Sequence, residues 1–318
     1  MIRSVFLGCG SYLPARCLTN DQLIAERKLD STNEWVERRT GIKERHIAAD
    51  NETTSDMAVK AAQEALEKSG VKIDEIDALI LATTTPDDRV PAAAARVQAK
   101  LGMTRGFAVD VNAACSGFIY ALTMADNFIR LGQAKTVLVI GAESLSRITD
   151  WTDRGTCFLF GDGAGAVVLR GKKGLGMNVD QGILATALHS DGTKYDMLRT
   201  NENGVLRMDG QEVFRAAVTN LSDVVDEALE MTGLKPDEID WLVPHQANQR
   251  IIDGTGKKLA LPAERVVSTI AYHANTAAAS IPLALALAVN DGRIKRGQLL
   301  LLDTMGAGFT WGMAVVRW

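Results

Sequence analysis

The sequence predicts an α/β protein made of two copies of one βα pattern, and three observations predict it. Residues 65–80 (ALEKSGVKIDEIDALI) recur as residues 228–243 (ALEMTGLKPDEIDWLV), identical at ten of sixteen positions with a constant offset of 163 and no gap. Each copy follows a helical pattern, from about residue 55 and from about residue 210, and runs into an apolar, strand-like stretch. Further on, residues 117–141 read as helix, Gly132 and a strand over 136–140, and residues 280–303 read as helix, Gly297 and a strand over 298–302. Two unrelated helix–turn–strand units would explain the first match alone, but not a second match in the same order. The halves are taken as residues 1–170 and 171–318. No Pro-, Gly- or Ser-rich linker separates them, 171–176 being the nearest approach to one, so the halves are expected to share one core.

Composition narrows the function classes. The chain is 47% hydrophobic and 23% charged, which suits a large core and excludes a disordered chain. A formal net charge of −4 lacks the cationic excess that tracking a phosphate backbone requires, so no nucleic-acid partner is expected. The four cysteines (Cys9, Cys17, Cys115, Cys157) are irregularly spaced, with no CxxC pair and no histidine cluster beside them. That pattern speaks against a zinc site or a disulfide framework and points to reduced thiols in a cytoplasmic protein. Gly8, Gly10 and Pro14 break the apolar start of the chain, and no small-residue cleavage site follows. The most apolar run, residues 277–289, is shorter than the about 20 residues needed to cross a bilayer and reads as a buried helix.

The chemistry-bearing residues lie at related places in the two halves. Cys115, in Asn112-Ala113-Ala114-Cys115-Ser116-Gly117, stands between a strand over 107–111 and an apolar helix. Free backbone N–H groups and the helix dipole at such a place favour thiolate over thiol. Asn275 stands just before the matching apolar helix of the second half. His245 follows the strand over 241–243, at a strand's carboxyl end, where open α/β sheets place their ligands. Gly306-Ala307-Gly308 follows the last long strand, and its small residues would let backbone N–H groups approach a ligand. Cys9, Cys17 and Cys157 lack Cys115's setting and read as core or surface thiols. His46 and His189 read as ordinary loop residues, and His273 as a neighbour that shapes the Asn275 turn. The glycines of residues 161–165 (GDGAG) fit neither a dinucleotide nor a P-loop spacing and read as a tight turn between strands. Arg250, Lys257 and Lys258 share one face of a helix after His245, a cationic patch beside the proposed site.

These segments resemble a known family. NAACSGF around Cys115, HQANQRI from His245 and NTAAAS from Asn275 are similar to the three active-site motifs of the β-ketoacyl-[acyl-carrier-protein] synthase III family. GAGFTWG from Gly306, DRGTCFLFGDGAGA from Asp153 and EWVERRTGIKERHI from Glu34 extend the likeness in the same order along the chain. The resemblance implies the thiolase fold, two duplicated βαβαβ-type halves in a five-layered αβαβα arrangement, as a homodimer. It implies that Cys115 takes an acyl group from coenzyme A, and that His245 and Asn275 stabilise the enolate left when malonyl-carrier protein loses carbon dioxide. The backbone N–H groups of Cys115 and Ala307 would form the oxyanion hole. Trp35 and Arg154 would sandwich the adenine of coenzyme A, and Arg39, Gly210, Phe214 and Asn248 would line its channel. Arg250, Lys257 and Lys258 would dock the carrier protein, while Val90, Leu145 and Phe160 would bound the acyl pocket. The partners implied are acyl-CoA and malonyl-acyl-carrier protein. Coenzyme A enters as a thioester substrate, with no cofactor, no metal and no membrane.

The chain departs from the family pattern in three places. Ala274 precedes the asparagine where glycine is common, Ala307 stands in the oxyanion loop where glycine is common, and Val90 precedes Pro91 where short-chain members carry phenylalanine. The last change would widen the acyl pocket towards primers longer than acetyl. A thiolase would need a second cysteine after Cys157, and none exists. A hydroxymethylglutaryl synthase would want a glutamate acid near the nucleophile, for which Glu143 is the candidate. A specialised-metabolism acyltransferase with another acceptor, a Cys–His thioester hydrolase and a non-catalytic carrier-binding module are the remaining alternatives.

Overall fold

The computed structural model describes residues 1–318. The first half contains strands β1 (Ile2–Tyr12), β2 (Arg16–Thr19), β3 (Glu44–Ile47), β4 (Ala78–Ala82), β5 (Phe107–Val111), β6 (Thr136–Ser144) and β7 (Asp162–Lys173). Its helices are α1 (Asn20–Arg27), α2 (Asn33–Thr40), α3 (Thr54–Ser69), α4 (Ala93–Lys100) and α5 (Gly117–Arg130). The second half contains β8 (Gly182–Ser190), β9 (Leu198–Thr200), β10 (Leu206–Met208), β11 (Trp241–Pro244), β12 (Leu299–Gly306) and β13 (Thr310–Arg317). Helices α6 (Gly210–Thr232), α7 (Gln249–Lys258), α8 (Ile270–His273) and α9 (Ser280–Asn290) complete it.

The two main sheets repeat one topology. The first runs β1-β7-β6-β4-β5 and the second β8-β13-β12-β11. In both, the inner pair (β6 with β4, β12 with β11) is parallel and the remaining pairs towards β1 or β8 are antiparallel. Only β5 lacks a full counterpart. A single parallel bridge from Leu242 to Val266 marks the equivalent place.

The repeated sequence explains itself in this frame. Gly70 and Gly233, identical in the repeat, end α3 and α6 in the left-handed conformation at φ 66, which glycine adopts without a Cβ penalty. Asp77 accepts the backbone N–H of Thr136 at 2.9 Å, and Asp240 accepts that of Leu299 at 2.8 Å. The conserved acidic residue therefore pins the start of the neighbouring strand in each half.

Five layers result. Helices α5 and α9 lie between the sheets in one apolar core that takes Ile80, Val139 and Leu169 from the first sheet and Val243, Leu302 and Val316 from the second. Outside the first sheet, α3 and α4 cover Leu79, Leu81 and Ile140. Outside the second, residues of α6 such as Val224 and Ala228 cover Leu242, Leu301 and Val315. The glycines of residues 161–165 belong to this packing. Apart from Gly161 they lie on β7, not in a turn, and a Cβ on Gly165 would come 2.6 Å from the backbone of Pro282 in α9. The close approach of the central helix is what excludes side chains there. No helix is long and apolar enough to cross a membrane.

Candidate active site

Cys115 sits in a short 3-10 turn (Ala114–Ser116) that leads directly into α5. The second half holds this turn in place. Thr304 Oγ1 donates to the Cys115 carbonyl (3.0 Å), Thr310 Oγ1 donates to the Ala113 carbonyl (2.9 Å), and Ser116 Oγ donates to the Thr310 carbonyl (2.9 Å). Gly306 permits the contact, since a Cβ there would come 2.7 Å from the Cys115 nitrogen. Gly306-Ala307-Gly308 follows the strand residues read from the sequence, and one further strand comes after it. It forms the end of β12 and the turn into β13, which folds back beside it.

His245 follows β11, and its backbone N–H donates to the Asp303 carbonyl at 2.8 Å. Its ring is fixed from behind, with Nδ1 lying 2.6 Å from Ser280 Oγ at the start of α9. Gln246 locks the loop: its Nε2 donates to the Pro244 and Val267 carbonyls, while its Oε1 accepts from Thr269 and Ile270. Asn275 accepts the Ala277 N–H on Oδ1 at 2.9 Å, which turns its Nδ2 donors to the cavity. Its backbone bridges to residues 159–161 on both sides, which ties the backbone of Phe160 to that of Asn275.

Cys115, His245 and Asn275 line one cavity of about 500 Å³, together with Leu145, Phe160 and residues 306–308. Val90 does not join them within one chain; it is 85% exposed on the loop before α4. Part of the lining comes from residues 195–208, including Leu198, Leu206 and Met208. Sequence reading missed these, because an excursion of short elements carries no periodicity. Ser280 was missed as a functional group too, although it closes the NTAAAS segment.

Burial dominates the electrostatics. It pushes the Cys115 thiol up to about 12, with the Glu143 charge acting in the same sense and the residue's own backbone N–H opposing. The helix-stabilised thiolate expected from sequence is therefore overridden by desolvation. Burial likewise pushes His245 down to about 3, so its imidazole is neutral at physiological pH. Glu143 is raised to about 7 by burial, yet its oxygens are occupied by Thr84 N–H (3.1 Å), Thr84 Oγ1 (3.0 Å) and Thr85 Oγ1 (2.6 Å). It does not line the cavity and is held as a structural group.

The cavity continues outward. A second cleft shares Leu159, Met208, Gly210, Phe214 and Asn248 with it and adds Trp35, Arg39, Arg154, Arg207, Arg215 and Arg250. The Arg154 guanidinium lies 4.5 Å from the centre of the Trp35 ring, and that of Arg39 lies 5.5 Å from it. Asn248 caps α7 through Arg250 N–H and donates to the Arg39 carbonyl, tying the second half to α2. An apolar inner chamber thus opens through a neck into an arginine-rich mouth. On α7, Arg250 stacks on Phe214, Lys257 is exposed, and Lys258 pairs with Asp226 at 2.7 Å. His46 and His189 lie on strands β3 and β8, not in loops, and His189 pairs with Glu227 while stacking on Trp311. Cys9 and Cys157 are buried, and Cys17 is exposed.

The comparisons agree with this architecture. The family model described as 3-oxoacyl-[acyl-carrier-protein] synthase III matches residues 109–192, and the model of its C-terminal part matches residues 229–318. A β-ketoacyl-[acyl-carrier-protein] synthase III of Rhodospirillum centenum is 60% identical over 100% of this chain and 99% of its own. The crystal structure of 3-oxoacyl-[acyl-carrier-protein] synthase III from Aquifex aeolicus superposes with a TM-score of 0.94 at 47% identity, covering 99% of this chain and 100% of that one. The priming β-ketosynthase of the R1128 polyketide pathway superposes at 0.92 with 35% identity, covering 99% and 96%. With its duplicated five-layer fold and its cysteine, histidine and asparagine on one cavity, the chain belongs to the β-ketoacyl-[acyl-carrier-protein] synthase III family.

Proposed function

We infer that the enzyme condenses an acyl-CoA primer with malonyl-[acyl-carrier-protein], giving 3-oxoacyl-[acyl-carrier-protein], coenzyme A and carbon dioxide, the step that initiates type II fatty acid biosynthesis. The observation that carries this reading is the convergence of Cys115, His245 and Asn275 on one apolar cavity behind an arginine-rich mouth.

In the first half-reaction Cys115 sulfur attacks the primer thioester. The bond to Cys115 forms first, giving a tetrahedral oxyanion, and its collapse breaks the C–S bond to coenzyme A. The thiol proton passes through His245 Nε2 to the departing coenzyme A thiolate. A neutral imidazole is required for this, and burial keeps it neutral. Residues 306–308 and Cys115 supply backbone N–H groups for the tetrahedral oxyanion, with Ala307 as the proposed donor.

In the second half-reaction the malonyl group loses carbon dioxide, and the electron pair left behind is an enolate. His245 Nε2–H and Asn275 Nδ2–H donate to its oxygen. The carbon then attacks the Cys115 thioester and releases the sulfur. The nucleophile comes from the substrate's own carboxylate, so donors placed where charge develops do the work. His245 must accept a proton in one half-reaction and donate a hydrogen bond in the other. Ser280 suits both tautomers, because a hydroxyl accepts from Nδ1–H or donates to bare Nδ1, whereas a carboxylate would hold only the first.

Trp35 and Arg154 would part to take the adenine between them, with Arg39 and the other arginines of the mouth facing phosphates. Arg250 and Lys257 would meet the acidic carrier, with Lys258 contributing once released from Asp226. The edge strand β5, with Phe107 exposed, and the exposed Val90 suit pairing of two copies, in which Val90 would cap the partner's acyl pocket. Its small side chain supports acceptance of primers longer than acetyl. The halves 1–170 and 171–318 would then stem from one duplicated unit working in the cytoplasm.

The experiment is a product balance. Acyl-CoA and malonyl-carrier protein should yield carbon dioxide, coenzyme A and 3-oxoacyl product in equal amounts. Free acid, or coenzyme A release that ignores malonyl-carrier protein, would indicate the hydrolase instead.

A further inference from the structure

The two-stranded ribbon β2–β3 has two unlike faces. Leu18, Arg45 and Ile47 are buried on one, and Arg45 donates to the Leu18 carbonyl, to Asn20 Oδ1 and to the Phe158 carbonyl. The register sets Cys17 opposite His46, and Glu44 lies two residues before His46, so strand alternation puts all three on the other face. The Cys17 sulfur, a Glu44 oxygen and a His46 ring nitrogen lie within 4.8 Å of one another.

We propose that this face binds a divalent cation of the zinc class. Thiolate, imidazole and carboxylate are zinc donors, and three protein ligands leave the fourth tetrahedral position to water. His46 is prepared for the role. Its Nδ1 lies 2.6 Å from the Pro14 carbonyl, and donation there leaves the lone pair on Nε2, the outer contact that orients metal-binding histidines. On binding, the Cys17 S–H bond breaks, its proton goes to solvent and the sulfur pair goes to the metal. The sequence spoke against zinc because no CxxC pair or histidine cluster flanks a cysteine; it is the ribbon register that brings His46 and Glu44 to Cys17.

The site is separate from the reaction, since none of the three residues lines the cavity and condensation needs no metal. Its position suggests a clamp. Arg45 ties the ribbon to Asn20, and Asn20 Nδ2 donates to Asn33 Oδ1 at the start of α2, the helix that carries Trp35. A metal ion joining β2 to β3 would fasten the base on which that helix rests.

Titration of the full chain with Co²⁺, in a reductant that contains no thiol, tests the proposal. Saturable uptake of a single equivalent with sulfur-to-cobalt charge-transfer absorption is expected, reversed by Zn²⁺. The absorption should vanish in Cys17→Ser, and His46→Ala should weaken uptake. Cys17 is exposed, so with metal removed from both proteins acylation of Cys115 should be the same in Cys17→Ser as in the parent and serves as the check on folding. A charge-transfer band that survives Cys17→Ser, or the absence of saturable uptake by the unaltered protein, would overturn the proposal.

Discussion

Nδ1 of His245 lies 2.6 Å from Oγ of Ser280, and both residues are buried. The same Oγ lies 3.3 Å from the Gln246 N–H, so the hydroxyl is anchored while its proton remains free to serve the imidazole. Ser280 is therefore a positioning residue for either tautomer of His245. Ser280→Ala leaves a buried ring nitrogen unpaired, which costs about 1–3 kcal/mol, and condensation should slow about tenfold or more. Steady-state rates measure the loss. Nitrogen NMR of the ring should show the His245 tautomers redistributed, which a purely structural role would not produce.

In the proposed mechanism Asn275 serves condensation and not acyl transfer. Its Oδ1 is committed to Ala277, so only Nδ2 faces substrate. Asn275→Ala should slow condensation by about 10²–10³, the usual effect of losing one preorganised donor. Transfer from acyl-CoA to Cys115 should persist within a few-fold of the starting enzyme. Rapid-quench measurement of each half-reaction checks the split, and an equal loss in both would contradict it.

Glu143 links pH to stability. Its folded value of about 7 lies above the ordinary 4.5, so between these values the folded chain binds the proton more tightly than the unfolded one. Its contribution is full below about 4.5 and is lost as pH rises through 7. Buried His245 and His273 titrate in the opposite sense over part of this range, so a difference between two proteins is the clean measurement. Glu143→Gln should gain about 3 kcal/mol on the parent between pH 5 and 8, read from urea unfolding. Cys115 should also alkylate faster in the variant, because a charge that raises its pKa is gone.

Ala274, one of the three departures from the family pattern, has φ 55 and ψ −162. A Cβ in that region costs about 1–3 kcal/mol. Ala274→Gly removes this strain but gives up a buried methyl worth about 0.8 kcal/mol and frees the unfolded chain by about 0.4–1 kcal/mol. The terms leave a net between a loss of about 0.8 and a gain of about 1.8 kcal/mol, which thermal unfolding reads. A loss of about 1.2 kcal/mol or more, which the methyl and entropy terms give with no strain to offset them, would show that the turn is unstrained.

Much of this architecture was legible because part of the duplication keeps one offset, from Ala65 and Ala228 to Thr136 and Leu299. The offset of 163 carries past the helices into the active-site turns. Asn112 and Asn275 each accept the N–H of an alanine two residues on, Ala114 at 3.4 Å and Ala277 at 2.9 Å. Those alanines share the left-handed conformation, with φ 49 and 43. The structure sharpens the symmetry read from sequence. The counterpart of Asn275 is Asn112, and Cys115 corresponds to Ala278, so each half gives one different position of the same turn to the chemistry.

Other features lay outside the reach of pattern. The thiol of Cys115 rises because of what is packed around it, which no local motif encodes. The cavity wall of residues 195–208 has no period to read. Cys17, Glu44 and His46 meet only through a strand register, and Val90 finds no cavity within its own chain.

In the proposed reaction one acyl group passes through Cys115 to a decarboxylated malonyl carbon. Intact-mass analysis of the Cys115 peptide tests it most directly, first after incubation with a panel of acyl-CoAs and then after addition of malonyl-carrier protein. Stoichiometric acyl mass is expected on Cys115, discharged on addition as 3-oxoacyl-carrier protein. Acyl mass that stays on Cys115, or leaves as free acid at the same rate without malonyl-carrier protein, would contradict it.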